Sequence, residues 1–295
     1  MSMKNVGSEG YIEVEGGRIW YSVSGQDRPG IPLILLHGGP GAPHYYLESL
    51  LALSSDRPVI LYDQLGCGKS DRPEDNALWS IGRFAGEIDE VRRVLGLEKV
   101  HILGQSWGTM LAVDYMLSRK PEGVMSLVLS SPCLSVALWG RDCRDLIAQM
   151  SRDEQEAIKR SEAEGDFSSE EYKKAITEFY RRHVCRLPSW PECIARTFDE
   201  MGVRVYEYMW GPSEFTITGT LKNYERAEAL KEIKTPALFT CGRYDEASPA
   251  STEYYHKMLP GSEFIVFEGA SHMHHIEDSG LYLKAVRDFI GRNGG

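Results

Sequence analysis

An α/β fold, with a mostly parallel central sheet flanked by helices and a helical cap insertion, is what three features of the 295-residue chain predict. Short, continuous apolar runs alternate with helix-length segments, the pattern of strands buried on both faces. One long stretch then breaks that alternation and is dense in charge. After it the apolar runs resume.

The elements follow in order. Tyr11–Val14 and Arg18–Val23 flank Gly16-Gly17 and read as a hairpin. Pro32–Leu36, Val59–Tyr62, Val100–Leu103 and Leu127–Ser130 are short apolar runs that each reach Gly, Asp or Ser within two residues. From Ser135 to Glu232, 34 of 98 residues are charged, which suits amphipathic helices lying over an existing core better than an independent domain. Within that stretch Pro188-Ser189-Trp190-Pro191 and Trp210-Gly211-Pro212 mark breaks between helices. Ala237–Cys241 and Phe264–Phe267 supply the last two strands. The expected division is a core of residues 1–134 and 233–295 with a cap, or lid, of residues 135–232.

Composition removes several function classes. A net charge of −10 repels phosphate backbones and argues against nucleic acid as a partner. No apolar run has the ~18 to 20 residues of a membrane helix, and Met1–Gly10 has no leader-like apolar stretch, so a cytoplasmic location without membrane attachment is expected. The six cysteines form no CxxC pair and show no His/Cys ligand spacing, so free thiols are expected rather than a disulfide framework or a zinc site.

The chemistry is carried by residues at strand ends. Gly104-Gln105-Ser106-Trp107-Gly108 follows the Val100–Leu103 strand and precedes a helical run. A strand-to-helix turn of this kind exposes a nucleophilic serine at a helix N-terminus, where backbone N–H groups can meet a developing oxyanion. The five residues alone also fit a tight turn with an inert serine; the flanking strand and helix favour the nucleophile. Upstream, the Pro32–Leu36 strand runs into His37-Gly38-Gly39-Pro40-Gly41, whose glycines let the backbone approach a substrate oxygen. The oxyanion hole is therefore assigned to the backbone N–H groups of Gly39 and Trp107. His37 precedes the nucleophile and is expected to order its loop through hydrogen bonds.

For a serine nucleophile on this fold the acid and then the base follow in sequence. Gly242-Arg243-Tyr244-Asp245-Glu246 and Glu268-Gly269-Ala270-Ser271-His272 lie just past the last two strands, at the edge where open α/β sheets collect their sites. Asp245 is the expected orienting acid and His272 the base. His274 and His275 are the rival bases, and His272 is preferred because it is nearest the strand end. Cys67, after the Val59–Tyr62 strand, is a candidate neighbour of the site, against the plainer reading of a buried inert thiol.

These motifs together resemble the proline iminopeptidase family of α/β-hydrolases, which includes the tricorn-interacting aminopeptidases. The resemblance runs nearly end to end: His37-Gly38-Gly39-Pro40-Gly41, Tyr62-Asp63-Gln64-Leu65-Gly66-Cys67-Gly68-Lys69-Ser70, Gln105-Ser106-Trp107-Gly108, Gly211-Pro212-Ser213-Glu214-Phe215-Thr216, Tyr244-Asp245-Glu246 and Ser271-His272-Met273. Gln105 is a departure, since many relatives carry Gly, Ser or His there. The resemblance implies release of an N-terminal residue, preferentially proline but with other small or apolar residues also in view, from short peptides or aminoacyl amides through an acyl-enzyme, without metal or cofactor. It also implies that Glu214 and Glu246, assisted by Tyr206, bind the substrate's free ammonium. Trp107, Trp139 and Phe215 are expected to wall an apolar pocket for the pyrrolidine ring. The alternatives are an amino-acid amidase or small-acyl esterase on the same triad, and a non-catalytic binding module on the same fold. Dehalogenase and epoxide hydrolase chemistry are disfavoured, because relatives with those activities place Asp where this chain has Ser106.

Overall fold

The computed structural model describes residues 7–294, so most of the Met1–Gly10 segment lies outside the described residues. β1 (Ser8–Val14) and β2 (Gly17–Ser24) form the hairpin, followed by β3 (Leu33–Leu36), β4 (Val59–Tyr62), β5 (Val100–Gln105), β6 (Val124–Ser130), β7 (Ala237–Gly242) and β8 (Glu263–Phe267). They build one sheet in the order β1-β2-β4-β3-β5-β6-β7-β8. β2 runs antiparallel to both β1 and β4, and the remaining neighbours are parallel.

Several strands are longer than their apolar runs. β1 begins at Ser8, because Ser8, Glu9 and Gly10 pair with Val23, Ser22 and Tyr21; ladder hydrogen bonds need backbone groups, not apolar side chains. For the opposite reason β3 starts after Pro32, which has no N–H to give, although its carbonyl accepts from His101 N at 2.8 Å.

α1 (Ile81–Val94) and α2 (Trp107–Arg119) cover the first face of the sheet, and α8 (Pro249–Met258), α9 (His274–Glu277) and α10 (Ser279–Arg292) accompany the last two strands. Between β6 and β7 lie α3 (Val136–Ile147), α4 (Arg152–Glu164), α5 (Glu170–His183), α6 (Glu192–Asp199) and α7 (Val203–Met209), and no strand. Serines begin many of these helices: Ser80, Ser135, Ser169 and Ser248 each accept from a backbone N–H of the first turn, and Ser151 forms a capping box with Glu154. The Pro188–Pro191 segment separates α5 from α6, and Trp210-Gly211-Pro212 follows α7.

Side chains alternate across the sheet, as a two-residue period requires. Ile34, Leu36, Ile102 and Leu129 pack on one face with Phe84, Ile88 and Met110, whereas Leu33, Leu35, Leu103 and Val128 pack on the other with Leu50, Phe289 and Ile290. The first cluster continues into the inserted helices through Trp139, Phe179 and Met209. The insert is also bonded backbone to backbone onto the sheet's loops: His272 N donates to His183 O (3.1 Å), Met273 N to Val184 O (2.9 Å) and Gly202 N to Gly41 O (2.8 Å). Among the described residues, no helix is long and apolar enough to cross a membrane.

Two glycines fix the turn after β5. A Cβ on Gly104 would fall into the Gly108 carbonyl, and one on Gly108 into the Leu36 carbonyl, both rigid backbone. Gly108→Ala should therefore destabilise the protein by about 1–3 kcal/mol through overpacking. Chemical denaturation of purified variants measures this, and an unchanged midpoint would show that the turn tolerates a side chain.

Candidate active site

Each predicted loop leaves the C-terminal edge of a strand, and the sheet order places β3, β5, β6, β7 and β8 side by side. One cavity over that edge is lined by Gly38, Gly39, Ser106, Glu214, Glu246 and His272, among others.

Ser106 sits at φ 54°, ψ −121°, a conformation that costs a non-glycine residue on the order of 1–3 kcal/mol and is retained where surrounding packing enforces it. The turn is pinned by Ser106 N donating to Ser130 O (2.9 Å) and Thr109 N donating to Ser106 O (2.8 Å). Trp107 is the first residue of α2, so its N–H has no intrahelical acceptor.

The glycine loop is oriented by its neighbours. His37 Nε2 accepts from Gln64 N (2.9 Å), which leaves the proton on Nδ1 to donate to Gly38 O (3.0 Å). Burial lowers the His37 pKa to about 4, so the ring stays neutral. The Gly38 carbonyl also accepts from Ala42 N (3.2 Å). In a trans peptide the following N–H, that of Gly39, points the opposite way. Neither Gly39 N nor Trp107 N meets an acceptor among the described residues.

Asp245 is fully buried and its carboxylate is surrounded by donors. His272 Nδ1 is 2.8 Å from Oδ1, Ala247 N donates to Oδ1 (2.8 Å), and Ser131 Oγ (2.6 Å) and Gly242 N (3.3 Å) donate to Oδ2. Burial works to raise the Asp245 pKa, but the His272 charge and these hydrogen bonds outweigh it, and the net shift is downward. For His272 burial works to lower the pKa, and the Asp245 charge and hydrogen bond, with Glu214 behind them, bring it above the ordinary value. Ser106 Oγ lines the same cavity as His272 but makes no hydrogen bond to it. The rival histidines are engaged elsewhere: His274 Nε2 lies 2.9 Å from Thr240 Oγ1 and 3.0 Å from Ser130 Oγ, and His275 Nε2 lies 3.1 Å from Tyr46 O. Burial takes their pKa values down to about 4 and about 3.

Glu214 and Glu246 meet across the insert-to-core boundary. Glu214 Oε1 accepts from Tyr206 Oη (2.8 Å), while both carboxylate oxygens of Glu246 are buried without a hydrogen-bond partner. His272 Nδ1 lies 3.8 Å from Glu246 Oε1. Burial raises the pKa of both, and Glu214 and Asp245 push Glu246 higher still.

Tyr206 reaches Glu214 from behind the cavity lining, its hydroxyl donating to Oε1. The aromatic side chains lining the cavity are Tyr46, Tyr180 and Phe198; Trp139 packs edge-on against His272 with ring centroids 5.8 Å apart, and Trp107 and Phe215 are not in the lining. Trp107 gives its indole N–H to Gln64, Trp139 gives its own to the Glu214 carbonyl, and Phe215 packs on Tyr172 and Phe179. Cys67 is fully buried, donates to Gln64 O (3.3 Å), and has its thiol pKa raised by burial, so it is shielded from modification. With His37 and Asp63 it forms a trio of potential metal ligands within 4.8 Å. Their atoms already serve the loops: Asp63 Oδ1 accepts from His44 N and lies 2.8 Å from His44 Nδ1, and Oδ2 accepts from Lys69 N. Ser131 was not foreseen; its only trace in the sequence is a second serine after an apolar strand.

Residues 31–279 match the α/β hydrolase fold family. The proline iminopeptidase of Heyndrickxia coagulans is 49% identical over 286 residues, covering 96% of this chain and 98% of that one. The chain belongs to the proline iminopeptidase family. The crystal structure of the Mycobacterium smegmatis proline iminopeptidase superposes with a TM-score of 0.89 at 34% identity, covering 97% of this chain and 99% of that one. VinJ superposes with a TM-score of 0.93, also at 34% identity and with the same coverage.

A base must be neutral to accept a proton, so if His272 serves, activity falls as pH drops through its raised pKa. The acidic limb of kcat/KM should then lie above the ordinary histidine value near 6.5. Asp245→Asn removes the raising charge; it should lower kcat on the order of 10⁴-fold and move that limb to lower pH. A limb that stays in place in Asp245→Asn would assign the titration to another group.

Proposed function

We propose that this chain is a serine aminopeptidase that releases N-terminal proline from short peptides or aminoacyl amides. The reading is carried by Glu246, a buried carboxyl with no hydrogen-bond partner for either oxygen, beside Glu214 in the cavity that holds Ser106 and His272. A fold does not retain such groups for stability, because a buried carboxyl without a hydrogen-bond partner is costly whether it is protonated or ionised. A substrate ammonium supplies the missing partner through charge-assisted hydrogen bonds.

In this mechanism residues 135–232 act as the cap that contributes Glu214. Ser106 Oγ attacks the carbonyl carbon of the N-terminal residue while His272 Nε2 takes its proton. The oxyanion is met by the N–H groups of Gly39 and Trp107. The tetrahedral adduct collapses, the C–N bond breaks, and His272 gives the proton to the leaving amine. Water, deprotonated by His272, then attacks the acyl-enzyme and restores Ser106. Asp245 holds His272 with Nδ1 protonated and stabilises the imidazolium.

The discriminating measurement is hydrolysis of proline arylamide against its N-acetyl form. Acetylation removes the ammonium and leaves the carboxyls unpaired, so kcat/KM should fall at least 100-fold, on the order of a lost charged hydrogen bond. Comparable rates on both would instead point to a small-acyl hydrolase, and failure of a fluorophosphonate to label Ser106 would point to a binding module. Glu246→Gln should raise KM about 10- to 100-fold on the free-amine substrate. The empty pocket favours protonated carboxyls, so KM should also fall as pH rises through their raised pKa; a KM flat with pH would remove Glu214 and Glu246 from ammonium binding.

A further inference from the structure

We propose that Gln105 is a positioning residue that ties the oxyanion loop and the base loop to the nucleophile turn, an inference that rests on the catalytic reading above. Gln105 ends β5, immediately before Ser106, and is buried at the cavity wall. Its amide does not serve its own sheet. Oε1 accepts from Tyr46 Oη (2.8 Å), and Tyr46 Oη accepts in turn from Gly38 N (2.6 Å). Nε2 donates to the backbone carbonyl of His272 (3.4 Å).

The two ends of one planar amide thus reach two different loops. Tyr46 can serve both partners because its phenol stays neutral, burial having raised its pKa, so that it donates to Gln105 while accepting from Gly38. The loop also fits closely against the amide: a Cβ on Gly38 would lie 2.8 Å from Gln105 Oε1 and 3.1 Å from Tyr46 Oη. With Gly38 N held by Tyr46, and Gly38 O held by His37 and Ala42, the direction of the Gly39 N–H is set by groups on both sides. On the far side the His272 carbonyl accepts from Gln105 Nε2; Ser131 Oγ lies 3.1 Å from the same oxygen, but its one proton goes to Asp245 at the shorter distance of 2.6 Å. Removing the amide frees one restraint on each loop while leaving Ser106, Asp245 and both glutamates in place. The cost should therefore appear in the tetrahedral adduct, where sub-ångström placement of donors matters, and not in ground-state binding.

The test compares wild-type protein with Gln105→Met, which keeps the length of the side chain without its polar atoms, and with Tyr46→Phe. Active sites are titrated with a fluorophosphonate so that rates are per competent site. With proline arylamide, Gln105→Met should lose about 10- to 100-fold in kcat with KM changed less than threefold. Affinity for a prolyl boronic acid, which forms the tetrahedral adduct, should fall in parallel with kcat, and affinity for free proline should not change. Tyr46→Phe should give a similar loss, and the double variant should lose less than the product of the two. A per-site kcat within twofold of wild type in Gln105→Met overturns the proposal, as does a loss confined to KM or to thermal stability. Should Gln105→Met fail to fold, Tyr46→Phe decides by the same two readouts. If wild-type protein neither hydrolyses the arylamide nor labels at Ser106, the catalytic reading fails first, a result distinct from a wild-type-like variant of an active enzyme.

Discussion

The strained turn at Ser106 is the constraint on which the remaining structure depends. A serine at φ 54° persists only because Gly104 and Gly108 let strand, turn and helix approach to backbone contact, with Gly108 against the Leu36 carbonyl. That approach draws β3 and its glycine loop against the start of α2. The Gly39 and Trp107 N–H groups thereby come to the same side of the sheet without acceptors of their own. The parallel register does the rest, since β3, β5, β6, β7 and β8 all deliver their following loops to one edge.

Charge at that edge is arranged in two tiers. Asp245 is ringed by four donors and sits below its ordinary pKa, so it stays ionised and holds up the pKa of His272. Glu246, the next residue, has no donor among the described residues and is pushed the other way. Two adjacent acids of equal burial therefore take opposite protonation preferences, and the difference lies first in the neighbouring charges, His272 for one and Glu214 with Asp245 for the other, and then in hydrogen bonds, rather than in desolvation. In the proposed mechanism one stabilises a cation that comes and goes on His272 and the other receives a cation from outside.

The strands and the strand-end residues were legible because both rest on local rules. Continuous apolar runs of four or five residues read directly as strands buried on both faces, and Asp245 and His272 announce themselves by following the last two of these. What resisted reading depends on contacts distant in sequence. Ser131 becomes informative only when β6 lies beside β7 and its hydroxyl meets Asp245, 114 positions away. The pocket aromatics were misplaced for the same reason. Trp107 lies inside the nucleophile motif, but its indole N–H needs a buried acceptor, which turns the ring to Gln64, and Trp139 gives its N–H to the Glu214 carbonyl while its ring packs on His272. Tyr46, Tyr180 and Phe198, the residues that do line the cavity, come from segments with no motif at all.

The insert enters the site at two places, and this bears on how selectivity and catalysis can vary. Glu214 is the obvious contribution, carried on the loop after α7. The less visible one is main chain: the C-terminal end of α5 accepts from the backbone N–H groups of His272 and Met273, and the residue before α7 donates to Gly41 in the glycine loop. The base loop and the oxyanion loop are thus each bonded to the insert as well as to the sheet. A cap that only covered a finished site could change freely in sequence and tilt. Here a shift of α5 moves the backbone that carries His272, and a shift of α7 moves the loop that carries Gly39. On the proposed roles, the residues that choose a substrate and the backbone that positions the reacting groups are bonded to one another, so substitutions in the insert should rarely alter one property without the other.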